Sequence, residues 1–172
     1  MVAMPETGIG FIPDVGGTYL LSRAPGELGT HVALTTGRMK AGDAIALGFA
    51  DHYLPSESLD KFVAALESGS LEDALAEYSQ PAPESALLAQ REWIDAAYSA
   101  DTVDEIVERL RASDVPEARD TADQVLSKSP VALKVTLRSL RHARKLDSLE
   151  EVLNEEFRVS TASLKSHDLV EG

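Results

Sequence analysis

No cysteine occurs in this chain of 172 residues. Disulfides, thiolate metal centres and a cysteine nucleophile are thereby excluded, and the composition fits a reducing compartment. Aromatic residues are scarce, at 5%, so Leu, Val, Ile and Ala must fill any core. No run approaches the roughly 18 consecutive apolar residues of a membrane span. The first residues lack the basic start and apolar centre of a secretory signal. Positive charge is in short supply too: 16 Lys and Arg stand against 29 Asp and Glu, a net −13 at pH 7. That balance argues against nucleic acid as a partner, because phosphate backbones are bound by clustered cations. No G-x-S-x-G elbow, G-x-G-x-x-G loop or internal repeat occurs, and none of the four histidines has metal-ligand spacing such as H-E-x-x-H. No metal site is expected.

What the chain does have is an unusual opening, Met4 to Gly17, M-P-E-T-G-I-G-F-I-P-D-V-G-G. It sets two carboxylates, Glu6 and Asp14, among apolar residues, Gly and Pro. Each follows a proline whose fixed φ helps to direct it, and the glycines interrupt any long helix or strand. A carboxylate among apolar neighbours loses hydration, which raises its pKa, and two close carboxylates raise one another's. A protein obtains a general base near neutral pH in this way. Turns also favour Gly, Pro and Asp, so on composition alone the stretch is equally a surface turn with two solvated acids.

The motifs in this stretch resemble those of the crotonase (enoyl-CoA hydratase/isomerase) superfamily. The shared pattern is Pro5-Glu6, Ile9-Gly10, Pro13 and Gly16-Gly17-Thr18. Hydratases typically carry glycine after the later proline. The 3-hydroxyisobutyryl-CoA hydrolase branch carries P-D-V-G-G, as here in Pro13-Asp14-Val15-Gly16-Gly17. Two further segments are similar to that superfamily: Thr36 to Asp51, and Ser129 to Gly172 with its S-P-x-x-L-K-x-T-L-R, E-F-R and H-D-x-x-E-G pieces. In the family a whole half of the fold precedes this point, with most of the sheet and both amides of the oxyanion hole, and the chain usually runs on past Gly172.

Beyond the opening, the pattern predicts helices and little else. Gly16 to Arg23 and Glu27 to Thr36 read as helices, with Gly37 closing the second. A short helix ending at Gly48 and a strand from Phe49 to Leu54 follow. Met1 to Met4 reads as the end of a buried strand or its exit loop. Asp43 and Asp51 read as capping or surface residues. Helices are expected from Pro55 to Glu67, with Leu59, Phe62, Val63 and Leu66 as an apolar stripe, from Leu71 to Tyr78, and from Pro83 to Tyr98. Asp101 reads as the N-cap of a helix to Arg111, and Val115 to Lys128 as another. Ser129-Pro130 opens a helix to Lys145, and the capping box Ser148 to Glu151 opens one to Lys165. The acids between 95 and 123 read as a solvated face, and the histidines as surface or core filling.

The helix from Ser129 carries Lys134, Arg138, Arg141 and Lys145 at i, i+4, i+7 and i+11, one basic stripe in an acidic protein. Such a stripe either contacts phosphate or pairs with acidic helices. The resemblance implies an α/β, ββα-spiral family, of which this chain would be mostly α-helical with one or two short strands. Residues 1–55 would complete the core and carry the acyl-CoA loop, and 56–172 would form a helical C-terminal region. It implies hydrolysis of 3-hydroxyisobutyryl-CoA in valine breakdown, with Glu6 and Asp14 catalytic and Glu6, Asp14 and Gly10 contacting substrate. Lys134, Arg138 and Arg141 would be the CoA phosphate contacts. CoA would enter as part of the substrate, with no other cofactor. Enoyl-CoA hydration or isomerisation is the alternative chemistry, and an inactive helical assembly module is the alternative of another class. The expected partners are an acyl-CoA and a second copy or the other half of the fold, without nucleic acid or membrane. The expected setting is cytoplasmic, or the mitochondrial matrix in a eukaryote.

Overall fold

The computed structural model describes residues 1–171. Strand β1 (Val2–Ala3) pairs antiparallel with β2 (Arg38–Met39), Val2 opposite Met39. Between them lie a 3-10 turn at Glu6–Ile9 and helices α1 (Gly17–Arg23) and α2 (Leu28–Thr35). Helix α3 (Ala41–Ala46) follows β2, and α4 (Leu59–Leu66) and α5 (Leu71–Tyr78) form a hairpin. The remainder is helical: α6 (Ala86–Ala89), α7 (Arg91–Tyr98), α8 (Val103–Ala112), α9 (Pro116–Leu126), α10 (Pro130–Ala143), α11 (Leu149–Ser163) and α12 (His167–Glu171).

Helix α2 is the centre. All its residues are buried, the polar Thr30, His31 and Thr35 included, so it has no face turned to solvent. Helices α1, α7, α9 and α10 surround it. Leu28, Val32 and Leu34 join Ile94, Tyr98, Leu110, Val125, Leu137 and Leu140 in one core cluster. That cluster draws on residues both before and after position 55. Burial of each such Leu, Ile or Val side chain contributes about 1.5–3 kcal/mol.

A clamp ties α1, α2, α7 and α10 together. Glu27, at the start of α2, accepts from Arg141 at 2.6 Å and Arg144 at 2.9 Å. Thr30 donates to it at 2.6 Å. Arg141 also donates to the Tyr98 carbonyl at 2.6 Å, and Arg144 to the Ser22 carbonyl at 3.2 Å. Burial pushes the Glu27 pKa up, but the bonds from Thr30, Arg141 and Arg144 outweigh it and hold the carboxyl below its ordinary value.

Several local expectations change. No strand forms at Phe49 to Leu54. Only Tyr53 bridges, to Gln80, and β2 takes the strand role instead. β1 lies at the surface, with Met1 exposed. Thr36, φ 56, takes the left-handed position that ends α2, one residue before Gly37. The helix expected from Pro83 starts only at Ala86, where Ser85 caps α6 by accepting from the Leu88 N–H at 3.0 Å, and it is broken at Gln90 into α6 and α7. Thr102 rather than Asp101 caps α8, its hydroxyl accepting from the Glu105 N–H. The stripe of α4 stays largely exposed and meets mainly α5, with Phe62 edge-on to Tyr78. Asp43 is a buried cap, accepting from Lys40, Ser85 and Leu87. The capping box of α11 forms as the sequence indicates.

Candidate active site

Glu6 opens the 3-10 turn that β1 leads into. The turn closes at Gly10, φ 74, whose N–H returns to the Glu6 carbonyl. A Cβ at Gly10 would run into the Asp168 carbonyl of α12, so a side chain is excluded by space as well as by backbone shape. Asp168 is itself held by the Ser129 hydroxyl, which donates to it and caps α10. The C-terminal H-D motif therefore docks behind the Glu6 turn. The Gly172 that ends that motif lies outside the described residues.

The Glu6 side chain is half-buried. Its Oε2 is buried with no hydrogen-bond partner among the described residues. Desolvation raises its pKa above the ordinary value. Its own backbone N–H partly opposes that rise, and the nearby charge of Asp14 adds to it. The two carboxylates that the opening motif singles out are thus electrostatic neighbours.

Asp14 lies at the corner of a tight turn. Its carbonyl accepts from the Gly17 N–H at 2.7 Å. The two central residues, Val15 at φ 47 and Gly16 at φ 90, are both left-handed, the pattern of a type I′ turn. The turn feeds directly into α1. Glu156 of α11 reaches this point from 140 residues away in sequence, accepting from the Gly16 N–H at 2.7 Å and the Thr18 N–H at 2.9 Å.

The basic stripe divides. Lys134, Arg138 and Lys145 are exposed, whereas Arg141 turns inward to Glu27 and Tyr98. A groove of 780 Å³ runs between α10 and α11, lined by Lys134, Arg138, Lys145 and Arg158 and reaching Thr18 and Glu156 behind the Asp14 turn. Lys134 pairs with Asp104 at 3.4 Å and Arg158 with Glu155 at 2.6 Å. Arg138 and Lys145 make no ion pair among the described residues. No cluster of His, Asp and Glu among the described residues is arranged to hold a metal ion, and no helix is long and apolar enough to cross a membrane.

The enoyl-CoA hydratase/isomerase family model matches residues 1–172. This chain belongs to that family. Among curated relatives, 3-hydroxyisobutyryl-CoA hydrolase of Danio rerio is 40% identical over 100% of this chain and 48% of its own length. The Homo sapiens protein of the same name is 37% identical over 100% of this chain and 47% of its own. Both are described as mitochondrial. Among solved structures, a carnitinyl-CoA dehydratase from Mycobacterium thermoresistibile superposes with TM-score 0.97 at 57% identity, over 98% of this chain and 50% of that one. An enoyl-CoA hydratase from Rhodobacter sphaeroides superposes with TM-score 0.84 at 38% identity, over 96% and 48%. The fold is thus the crotonase fold, and the chain spans about half the length of the relatives it matches.

In the sequence, Glu156 stands out only as part of the E-F-R piece. The readable signal was its spacing. It falls at i+4 from buried Val152 and i−3 from half-buried Val159, a carboxylate on the inward stripe of an amphipathic helix. Glu27 and Arg144 gave no comparable signal, because both read as ordinary helix-end charges.

Proposed function

We propose that this chain carries the acid–base part of an acyl-CoA thioesterase site, hydrolysing 3-hydroxyisobutyryl-CoA to 3-hydroxyisobutyrate and CoA in valine breakdown. The observation that carries the reading is Glu6: a carboxylate with one buried, unpartnered oxygen and a raised pKa, beside Asp14. Such a group takes a proton from water as the water attacks the thioester carbonyl. The C–S bond then breaks, and the proton passes to the departing thiolate. Asp14 orients the substrate hydroxyl or the water. Direct attack by Glu6 on the thioester is the covalent variant, marked by ¹⁸O from solvent appearing in Glu6. The donors that hold the carbonyl oxygen belong to the other half of the fold, so the activity is that of the whole protein. Gly10 lets the chain pass close to the acyl group, and the exposed Arg138 and Lys134 contact CoA phosphate. The inward Arg141 acts only through its charge. The setting is cytoplasmic, or the mitochondrial matrix in a eukaryote.

Glu6→Gln is expected to lower turnover by about 10²–10⁴-fold with the fold intact, read as CoA release by the native protein. Full activity in that variant sinks the assignment. A second reading, hydration or dehydration of an enoyl-CoA thioester, is favoured by the 57% identity to the protein described as a carnitinyl-CoA dehydratase. Crotonyl-CoA assayed beside 3-hydroxyisobutyryl-CoA separates the two.

A further inference from the structure

Glu156 is a buried carboxylate without a cation. It is 4% exposed, and its partners are the N–H groups of Gly16 and Thr18 and the Thr18 hydroxyl. No ion pair involves it among the described residues. The two N–H donors flank that of Gly17, which closes the turn on the Asp14 carbonyl. One carboxylate thus grips both sides of the hydrogen bond that defines the turn.

The turn needs such a grip. Val15 sits at φ 47, a region that β-branched residues avoid. Its side chain is 90% exposed, so no packing of its own holds it there. A strained conformation persists only where its surroundings over-determine it. Here the surroundings are Glu156, and charge-assisted bonds to backbone N–H are of the strong kind. Glu156 is in turn fixed on α11 beside fully buried Val152.

We propose that Glu156 is the positioning residue for Asp14. It holds the Asp14–Gly17 turn in its left-handed form and, through that turn, sets the place of the Asp14 carboxyl opposite Glu6. The proposal rests on the reading that Asp14 serves the reaction. Both Glu156 oxygens are spent on the N–H and hydroxyl groups of the turn, so its effect is on geometry and falls on kcat more than on KM.

The test uses Glu156→Gln, which keeps volume but puts an NH₂ against N–H donors, assayed in the native full-length protein with 3-hydroxyisobutyryl-CoA. Turnover is expected to fall about 10²-fold, the scale of a small misplacement in an active site, with KM little changed. Amide exchange at Gly16 and Thr18, followed by NMR without substrate, is expected to quicken. Adding Val15→Gly removes the strain and should recover on the order of ten-fold in kcat. Unchanged kcat in Glu156→Gln, with exchange quickened, overturns the proposal. An equal loss in the single and double variants also overturns it, because Glu156 would then serve only to dock α11. Full activity in Asp14→Asn would instead sink the functional reading beneath, whatever residue 156 does.

Discussion

Glu6 and His31 show how burial sets a proton's affinity in opposite directions. Desolvation raises the carboxyl of Glu6, and the charge of Asp14 adds to it. A rate that needs the Glu6 carboxylate rises with pH through that raised pKa. Asp14→Asn removes the added charge, so the acid limb of kcat/KM is expected to move to lower pH, read from a pH–rate profile. His31 is buried edge-on to Trp93 and Tyr98, with its Nδ1 unpartnered among the described residues. Burial lowers its pKa from 6.5 to about 4. The unfolded chain therefore takes up this proton first. Stability is full above the unfolded pKa and declines, by about 3 kcal/mol in all, as pH falls to the folded value. His31→Phe, which keeps the edge contacts, is expected to flatten that stretch of a plot of stability against pH. The opening sequence made Glu6 and Asp14 readable, since Gly and Pro around paired acids are a local pattern. His31 was readable as a helical residue, at the surface or filling the core, and only the packing of α7 decided between the two.

At the scale of elements, the Glu27 clamp decides how α10 sits on α1, α2 and α7. Glu27 is buried, but Arg141 is only partly buried and Arg144 is exposed, so water can take over part of what the arginines lose. Glu27→Gln is expected to cost about 1.5–3 kcal/mol at pH 7 by chemical denaturation, the scale of charge-assisted hydrogen bonds. The folded pKa of Glu27 is depressed, so its contribution is present above the ordinary carboxylate pKa and disappears as pH falls through the folded value. The gap between wild type and variant should close in acid, and a gap independent of pH counts against the clamp. Caps explain most of what was legible here. Ser129 and Ser148 mark the starts of α10 and α11 because a cap is satisfied within three residues. The late start of α6 was not legible, because its cap, Ser85, is fixed in part by Asp43 of α3.

For the whole molecule, α11 presents Leu149, Leu153 and Phe157 to solvent, continued by Leu164 just past its end, with Phe157 76% exposed. An apolar row of this kind seeks cover. The isolated 172-residue chain is expected to self-associate in size-exclusion chromatography, and Phe157→Glu to reduce this. A dilution-resistant monomer in the unaltered chain would count against it. The same row begins next to the Asp14 turn, where Leu149 lies beside Gly16, so whatever covers it borders the site.

By itself, the sequence determined the family motifs, the two carboxylates, the predominance of helix and the capped starts of α10 and α11. All of these depend on residues within a turn or two of one another. Only the tertiary structure decided that Arg141 faces inward to Glu27, that β2 rather than Phe49 to Leu54 makes the strand, and that Glu156 meets the turn after Asp14. Each turns on a partner far away in sequence. A charge on a helix surface has many possible partners, and only packing around α2 selects which one it meets.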